Sequence, residues 1–223
     1  MSQVSPHEAK AALEAAFYRW GLPHSMRFDN GPPFANTTDR HLPTALAVWL
    51  TSLGIEVIFN RVYSPQQNGS VECTQRISSR WANFKACSTP QALQQALDKV
   101  SYEHIEVYRQ RHNGDRTRAE AYPGLFDHPR CYDPNAIDPE RVKSYLMRRK
   151  LIRKVYGNGC LSLFGAMLSA GNKYKHQQVE IGFNPSDCCW QVSLVSTGQL
   201  IKQLAQLDLS KEAIEQLTVF QRT

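Results

Sequence analysis

Two carboxylates stand out because of the segments around them. Asp29 follows residues 25–28, a short strand-forming run, and precedes the turn-forming residues 30–33. Glu72 lies one turn into a helix that follows a loop containing proline and glycine. Mg²⁺ prefers carboxylate oxygens, and two such ions stabilise both oxygens of a phosphoryl displacement. The pair predicts part of a catalytic metal site; the alternatives are a turn cap at Asp29 and an exposed ion pair between Glu72 and Arg76.

The helix around Glu72 also predicts a polar ridge. At 100° per residue, Glu72, Arg76, Ser79 and Asn83 lie on one side of that helix, with the acid at its start. This ridge is a candidate surface for contact with a charged ligand.

A second candidate surface is a basic segment. The 223 residues carry 26 Lys and Arg against 20 Asp and Glu, and the excess lies in the C-terminal part. The densest run has seven cations without an acid, which suits a phosphate backbone: Arg141, Lys143, Arg148, Arg149, Lys150, Arg153 and Lys154. The alternative is a solvated basic face.

Periodicity and capping residues predict an α/β layer in the first half of the chain. Ser5, Pro6 and Glu8 form the start signal of an amphipathic helix that ends before Gly21. Two strands, 25–28 and 55–59, flank a helix over 42–53. Further helices are predicted from about residue 68 and from Thr89-Pro90 to about residue 113.

The second half predicts a small β domain. Short strand-forming runs alternate with turns at 151–156, 160–164, 178–183, 190–195 and 199–202, and a helix is predicted at 207–220. Helical periodicity is lost in the proline-rich segment 122–139. We therefore predict a core at 1–128, a basic linker at 129–150 and a small barrel with a terminal helix at 151–223.

Composition excludes several classes of protein. With 42% hydrophobic residues the chain has the material for a core, and no apolar run has the length of a membrane span. The start lacks the layout of a signal peptide, and the six cysteines lack the spacing of zinc ligands. We expect a cytoplasmic protein with reduced thiols and no membrane contact.

Several motifs in this order resemble the integrase core of DDE transposases and retroviral-type integrases. They lie at residues 21–23, 27–34, 53–55 and 64–72, and include Asp-Asn-Gly at 29–31 and Asn-Gly-Ser-Val-Glu at 68–72. Residues 108–111 and 117–122 resemble the segment that closes this core, with Arg118 where proline is usual. Residues 151–202 are similar to the C-terminal β-barrel of Mu-type transposases.

The resemblance implies an RNase H-like fold and DNA strand transfer, in which three carboxylates bind two Mg²⁺ or Mn²⁺ ions. Asp29 matches the second catalytic aspartate and Glu72 the catalytic glutamate. The ridge of Arg76, Ser79 and Asn83 would face the transposon end, and the basic C-terminal part would grip flanking duplex DNA.

One departure limits these expectations. The family's first catalytic aspartate lies on a strand that precedes the first helix, and before Asp29 this sequence has only Glu8 and Glu14, both on that helix. We therefore expect the C-terminal part of a transposase, with an incomplete RNase H-like core and no strand transfer by itself. The alternatives are a DNA-binding regulator that competes with an intact transposase or joins it in mixed oligomers, and a decayed, barely folded product.

Overall fold

The computed structural model describes residues 4–36, 42–61, 65–127, 129–163 and 165–220. The chain forms two compact units, of which the first comprises residues 1–15, 23–59 and 132–223 and the second residues 16–22 and 60–131. The boundaries expected from the sequence differ from this division and stay predictions. In the described ranges, no helix combines the length and apolar character needed to cross a bilayer.

The described chain is a mixed α/β structure, as expected. Its helices are α1 (Pro6–Trp20), α2 (Ala45–Ser52), α3 (Gly69–Ala82), α4 (Pro90–Tyr102), α5 (Arg118–Ala121), α6 (Gly124–Asp127), α7 (Pro139–Met147) and α8 (Lys211–Glu215). Its strands are β1 (Ser25–Phe28), β2 (Glu56–Phe59), β3 (Lys150–Lys154), β4 (Cys160–Leu163), β5 (Ala166–Ser169), β6 (Gln178–Asn184), β7 (Cys189–Leu194) and β8 (Leu200–Gln206).

The first unit begins with a capped helix and a parallel strand pair. The Ser5 hydroxyl accepts the N–H of Glu8 at 3.2 Å, and the Glu8 carboxylate accepts the N–H of Ser5 at 2.8 Å, so the predicted capping box is present. β1 and β2 pair in parallel with Phe28 opposite Phe59. The intervening α2 is deeply buried, and the Thr44 side chain caps it.

The C-terminal strands of the first unit form two sheets. Four antiparallel strands follow the order β3-β6-β7-β8, and β4 pairs with β5. Alternate residues of β6 are buried, as a sheet with one covered face requires. The sequence did not predict β5, and Phe164, expected at the end of β4, lies outside the described residues. Closure of these strands into a barrel stays a prediction.

The predicted terminal helix is shorter than expected. β8 continues to Gln206, beyond the strand end predicted at residue 202, and the helix does not begin directly after it at residue 207. The helix α8 starts only after Ser210, whose side chain accepts the N–H of Ala213.

The segment expected to be a basic linker, 129–150, contains the packed helix α7. Asp138 caps this helix and Pro139 occupies its first position. Val142 and Leu146 have no exposed surface, and α7 packs against α2 within the first unit. An apolar spacing of four residues therefore buries one face of α7 although its other face is basic.

The second unit is built from α3 and α4 with short segments after them. Thr89 caps α4, as predicted, and Arg19 pairs with Asp98 on α4 at 2.6 Å. The periodic run predicted to continue as α-helix changes at Tyr102 into a π-helical segment, Glu103–Val107. Short π-helical segments often occur at functional sites.

Candidate functional site

Asp29 lies directly after the last residue of β1, where the sequence predicted a strand end. Its side chain is exposed, and Oδ1 accepts the N–H of Gly31 at 3.0 Å. This hydrogen bond forms the Asx turn that was the alternative to a catalytic role. A carboxylate has acceptor positions beyond the one used here, so the turn and a second contact are compatible.

Glu72 is exposed in the first turn of α3, as predicted. At this position a negative charge interacts favourably with the helix dipole. Among the residues that the structure describes, no ion pair joins Glu72 to Arg76, whose guanidinium instead lies 3.9 Å from the Cys73 sulfur. The surface ion pair offered as an alternative for Glu72 is therefore not formed.

The predicted polar ridge is shorter than expected. Arg76 and Ser79 are exposed on α3 together with Glu72. Asn83 follows the helix in the left-handed conformation, with φ 46° and ψ 59°, and its carbonyl accepts the N–H of Ala86. Asparagine tolerates this conformation better than most residues, so Asn83 ends the helix rather than extending the ridge.

The two candidate catalytic carboxylates belong to different compact units, Asp29 to the first and Glu72 to the second. Over the described ranges, no three His, Cys, Asp or Glu side chains come together as a group that could hold a metal ion. Mg²⁺ demands near-octahedral oxygen coordination. The Mg²⁺ or Mn²⁺ site that the resemblance implies therefore stays a prediction.

Fewer cations of the basic segment are available for a ligand than the sequence indicates, because three of them pair with carboxylates outside the run. Arg141 lies 3.3 Å from Asp138, Lys143 lies 2.7 Å from Glu140, and Lys150 lies 3.0 Å from Glu180. The hydrogen bond from Lys143 to Glu140 raises the pKa of the lysine. Two of these acids come just before the run in sequence, and the third lies opposite Lys150 on β6.

Two further cations of the segment make neutral contacts. The Arg149 guanidinium lies 4.6 Å from the centre of the Tyr145 ring and donates to its hydroxyl at 2.9 Å. Burial of the phenol raises the pKa of Tyr145 despite the neighbouring charge. Arg153 donates to the Ile152 carbonyl at 3.1 Å.

Arg148 and Lys154 remain as exposed cations of the basic segment. Arg148 follows α7, and Lys154 ends β3. Within the part of the chain that the structure describes, neither has a carboxylate within ion-pair distance. These two positive charges are therefore the most available for a phosphate.

A polar cluster around His104 in the second unit was not predicted from the sequence as a functional feature. His104 is 7% exposed, and its Nδ1 lies 2.8 Å from an Arg118 nitrogen that also donates to the His104 carbonyl at 2.9 Å. A guanidinium only donates, so Nδ1 accepts and the ring proton lies on Nε2. The available signal was Arg118, at the position where the resembling family has proline.

The His104 ring also supports two aromatic side chains. The Trp81 ring lies edge-on to it with centroids 4.8 Å apart, and the Tyr108 ring is nearly parallel to it at 6.1 Å. Nε2 of His104 is buried and has no hydrogen-bond partner among the described residues. Burial, and then the charge of Arg118, lower the pKa of His104, so the ring is neutral at pH 7.

This lowered pKa predicts acid sensitivity of the fold. The unfolded chain takes up a proton on His104 below its ordinary pKa of about 6.5, whereas the folded chain resists protonation. The stability is therefore fully present above about pH 6.5 and is lost as the pH falls toward the lowered native pKa.

We expect urea unfolding between pH 7 and pH 5 to show this loss, in a window above the ordinary titration of carboxylates. His104→Gln removes the titrating group and should flatten the profile. His7→Gln, on the exposed face of α1, is the control and should leave the profile unchanged. An equally steep profile in His104→Gln would contradict the prediction.

No family model matches this sequence. Among solved structures, the chain is similar to a chain in the cryo-EM structure of the simian T-cell lymphotropic virus intasome in complex with PP2A regulatory subunit B56 gamma. The identity is 17% and the TM-score 0.42, and the match covers 92% of this chain and 66% of that chain. This chain thus spans just under two thirds of the length of its structural neighbour.

Proposed function

We propose that this chain is a DNA-binding protein of DNA integration or transposition, related to the C-terminal part of DDE transposases and retroviral-type integrases. The observation that carries the proposal is the placement of two acids. Asp29 follows the first strand of a parallel pair, and Glu72 lies in the first turn of an exposed helix. These are the settings in which the sequence resemblance expects carboxylates.

The fold that we propose with this function is part of an RNase H-like core, followed by a small β-barrel. The parallel pair of β1 and β2 with α2 between them in sequence supports the first assignment. The antiparallel sheet of β3, β6, β7 and β8 supports the second.

The proposed chain does not join DNA strands by itself. Asp29 and Glu72 are two of the three carboxylates that the reaction needs, and two ions require a fuller set of oxygen ligands. Its role is to hold duplex DNA, such as a transposon end, alone or in an oligomer with further copies or with an intact transposase. The exposed cations Arg148 and Lys154 support this role, because phosphate contacts position DNA without reading its sequence.

A strand-transfer assay tests the catalytic part of this proposal. Purified protein with labelled transposon ends and Mg²⁺ or Mn²⁺ is expected to give no joined product. Joining that Asp29→Ala abolishes would overturn it.

Duplex binding tests the DNA-binding part. We expect binding to a blunt duplex to weaken steeply with salt, because neutralised phosphates release counterions. Asp29→Ala should bind as the unchanged chain does. Absence of binding, or binding that does not respond to salt, would count against the proposal.

A further inference from the structure

An aromatic groove in the second unit is not used by the proposed function. It has a volume of about 630 Å³ and is lined by Trp81, Lys99, Tyr102, Glu103, Val107, Tyr108 and Arg109. Although they are large, Trp81, Tyr102 and Tyr108 are 41%, 61% and 50% exposed. Exposed apolar surface that is gathered in one place marks a binding site more often than scattered exposed residues do.

The chemistry of the groove favours flat ligands. Of its four apolar lining residues, three are aromatic and only Val107 is aliphatic. The Trp81 and Tyr108 rings lie 5.8 Å apart at 71° to each other, so two differently oriented ring surfaces border the groove. Aromatic rings bind nucleobases by stacking whatever the base, because every base has a π-face.

A buried side chain, His104, supports two of the aromatic residues that line the groove. His104 contacts both Trp81 and Tyr108, and Arg118 fixes the imidazole through Nδ1 and the backbone carbonyl. A ring in a fixed position loses less conformational freedom on binding than a mobile one. The buried His104 therefore prepares the two aromatic walls for a ligand.

Charge around the groove is suited to a polyanion. Lys99 and Arg109 line it, and in the second unit Lys and Arg outnumber Asp and Glu by 11 to 7. Lys99 lies 3.9 Å from Glu103, and Arg109 lies 3.1 Å from Glu120, but both pairs are exposed. Exposed pairs contribute little, so a phosphate can compete for either cation.

We propose that this groove binds unpaired bases of single-stranded DNA, with the bases on Trp81, Tyr102 and Tyr108 and the phosphates near Lys99 and Arg109. A duplex hides its base faces in the stack, so only an unpaired segment can use the aromatic walls. The choice of DNA as the source of the bases rests on the proposed function.

The experiment compares a labelled single-stranded oligonucleotide with a blunt duplex of the same sequence, by fluorescence anisotropy on the full chain. Tyr102→Ala is expected to weaken single-strand binding at least about fivefold and to leave duplex binding unchanged. Tyr102→Phe keeps the ring and should bind as the unchanged chain does. Tyr156→Ala is the matched control, because Tyr156 is an exposed tyrosine of the first unit.

Tryptophan fluorescence of the unchanged chain gives an independent measurement. Trp49 and Trp190 are buried, whereas Trp20 and Trp81 are exposed. Single-stranded DNA should quench the exposed signal in the unchanged chain, and Trp81→Phe should bind without that quenching. Binding without any change in Trp81 fluorescence would overturn the inference.

The two probes separate this inference from the proposed function. Duplex binding without single-strand binding overturns the groove inference and leaves the proposed function in place. Single-strand binding without duplex binding, when it is weakened by Tyr102→Ala, supports the groove and counts against the proposed function. Self-association that Tyr102→Ala abolishes, together with unaltered single-strand binding, would overturn the inference in favour of a second copy of the chain.

Discussion

Replacement of Leu146 by alanine is expected to lower the free energy of unfolding by about 2–5 kcal/mol. Leu146 has no exposed surface, and α7 packs against α2 within the first unit. Truncation removes buried methyl groups and leaves a cavity that its neighbours fill only in part. Urea denaturation followed by circular dichroism measures the loss.

Met147→Ala is the matched control for this substitution. Met147 is the next residue of the same helix and is 49% exposed, so its truncation should change the stability by about 0.5 kcal/mol or less. The comparison decides between a packed helix and the basic linker expected from the sequence. Equal, small effects of both substitutions would contradict the packing of α7.

The double substitution Arg148→Gln with Lys154→Gln is expected to lower the salt dependence of duplex binding by about two counterions. Both cations are exposed, and over the described ranges neither has a carboxylate at ion-pair distance. Each phosphate that they neutralise contributes a slope of about 0.9 in log Kd against log salt. Titrations at several salt concentrations measure that slope.

The control removes charges that already neutralise each other. Lys150 lies 3.0 Å from Glu180, so Lys150→Gln with Glu180→Gln leaves the net charge unchanged. We expect this pair of substitutions to keep the wild-type slope. The same reduction of slope in both double variants would show that individual contacts of the basic segment do not matter, against the prediction.

The structure also gives a specific role to Arg118, which stands where the family that the sequence resembles has proline. At the first position of α5 the backbone N–H needs no helical partner, so proline fits there and other residues are tolerated. Here the longer side chain reaches back to the carbonyl and ring of His104. Arg118 is thereby connected to the aromatic groove through His104.

Local signals in the sequence were sufficient for most elements of the fold. The capping box of Ser5 and Glu8, the strand 25–28 and the start of α4 at Pro90 depend on neighbouring residues, and all three are confirmed. The position of Asp29 after a strand and of Glu72 in the first turn of a helix followed from the same signals. Short-range hydrogen bonds and apolar spacing are written in consecutive residues, so the sequence determined them by itself.

Only the tertiary structure decided which side chains are available. It placed Glu180 beside Lys150 and Arg118 beside His104, and it buried one face of α7 in what the sequence indicated was a linker. His104 and Arg118 are 14 positions apart in the sequence, and Lys150 and Glu180 are 30 positions apart. Nothing in the local sequence around them fixes their distance in space. Net charge and periodicity are properties of the chain order, whereas ion pairing and burial depend on which distant segments pack together.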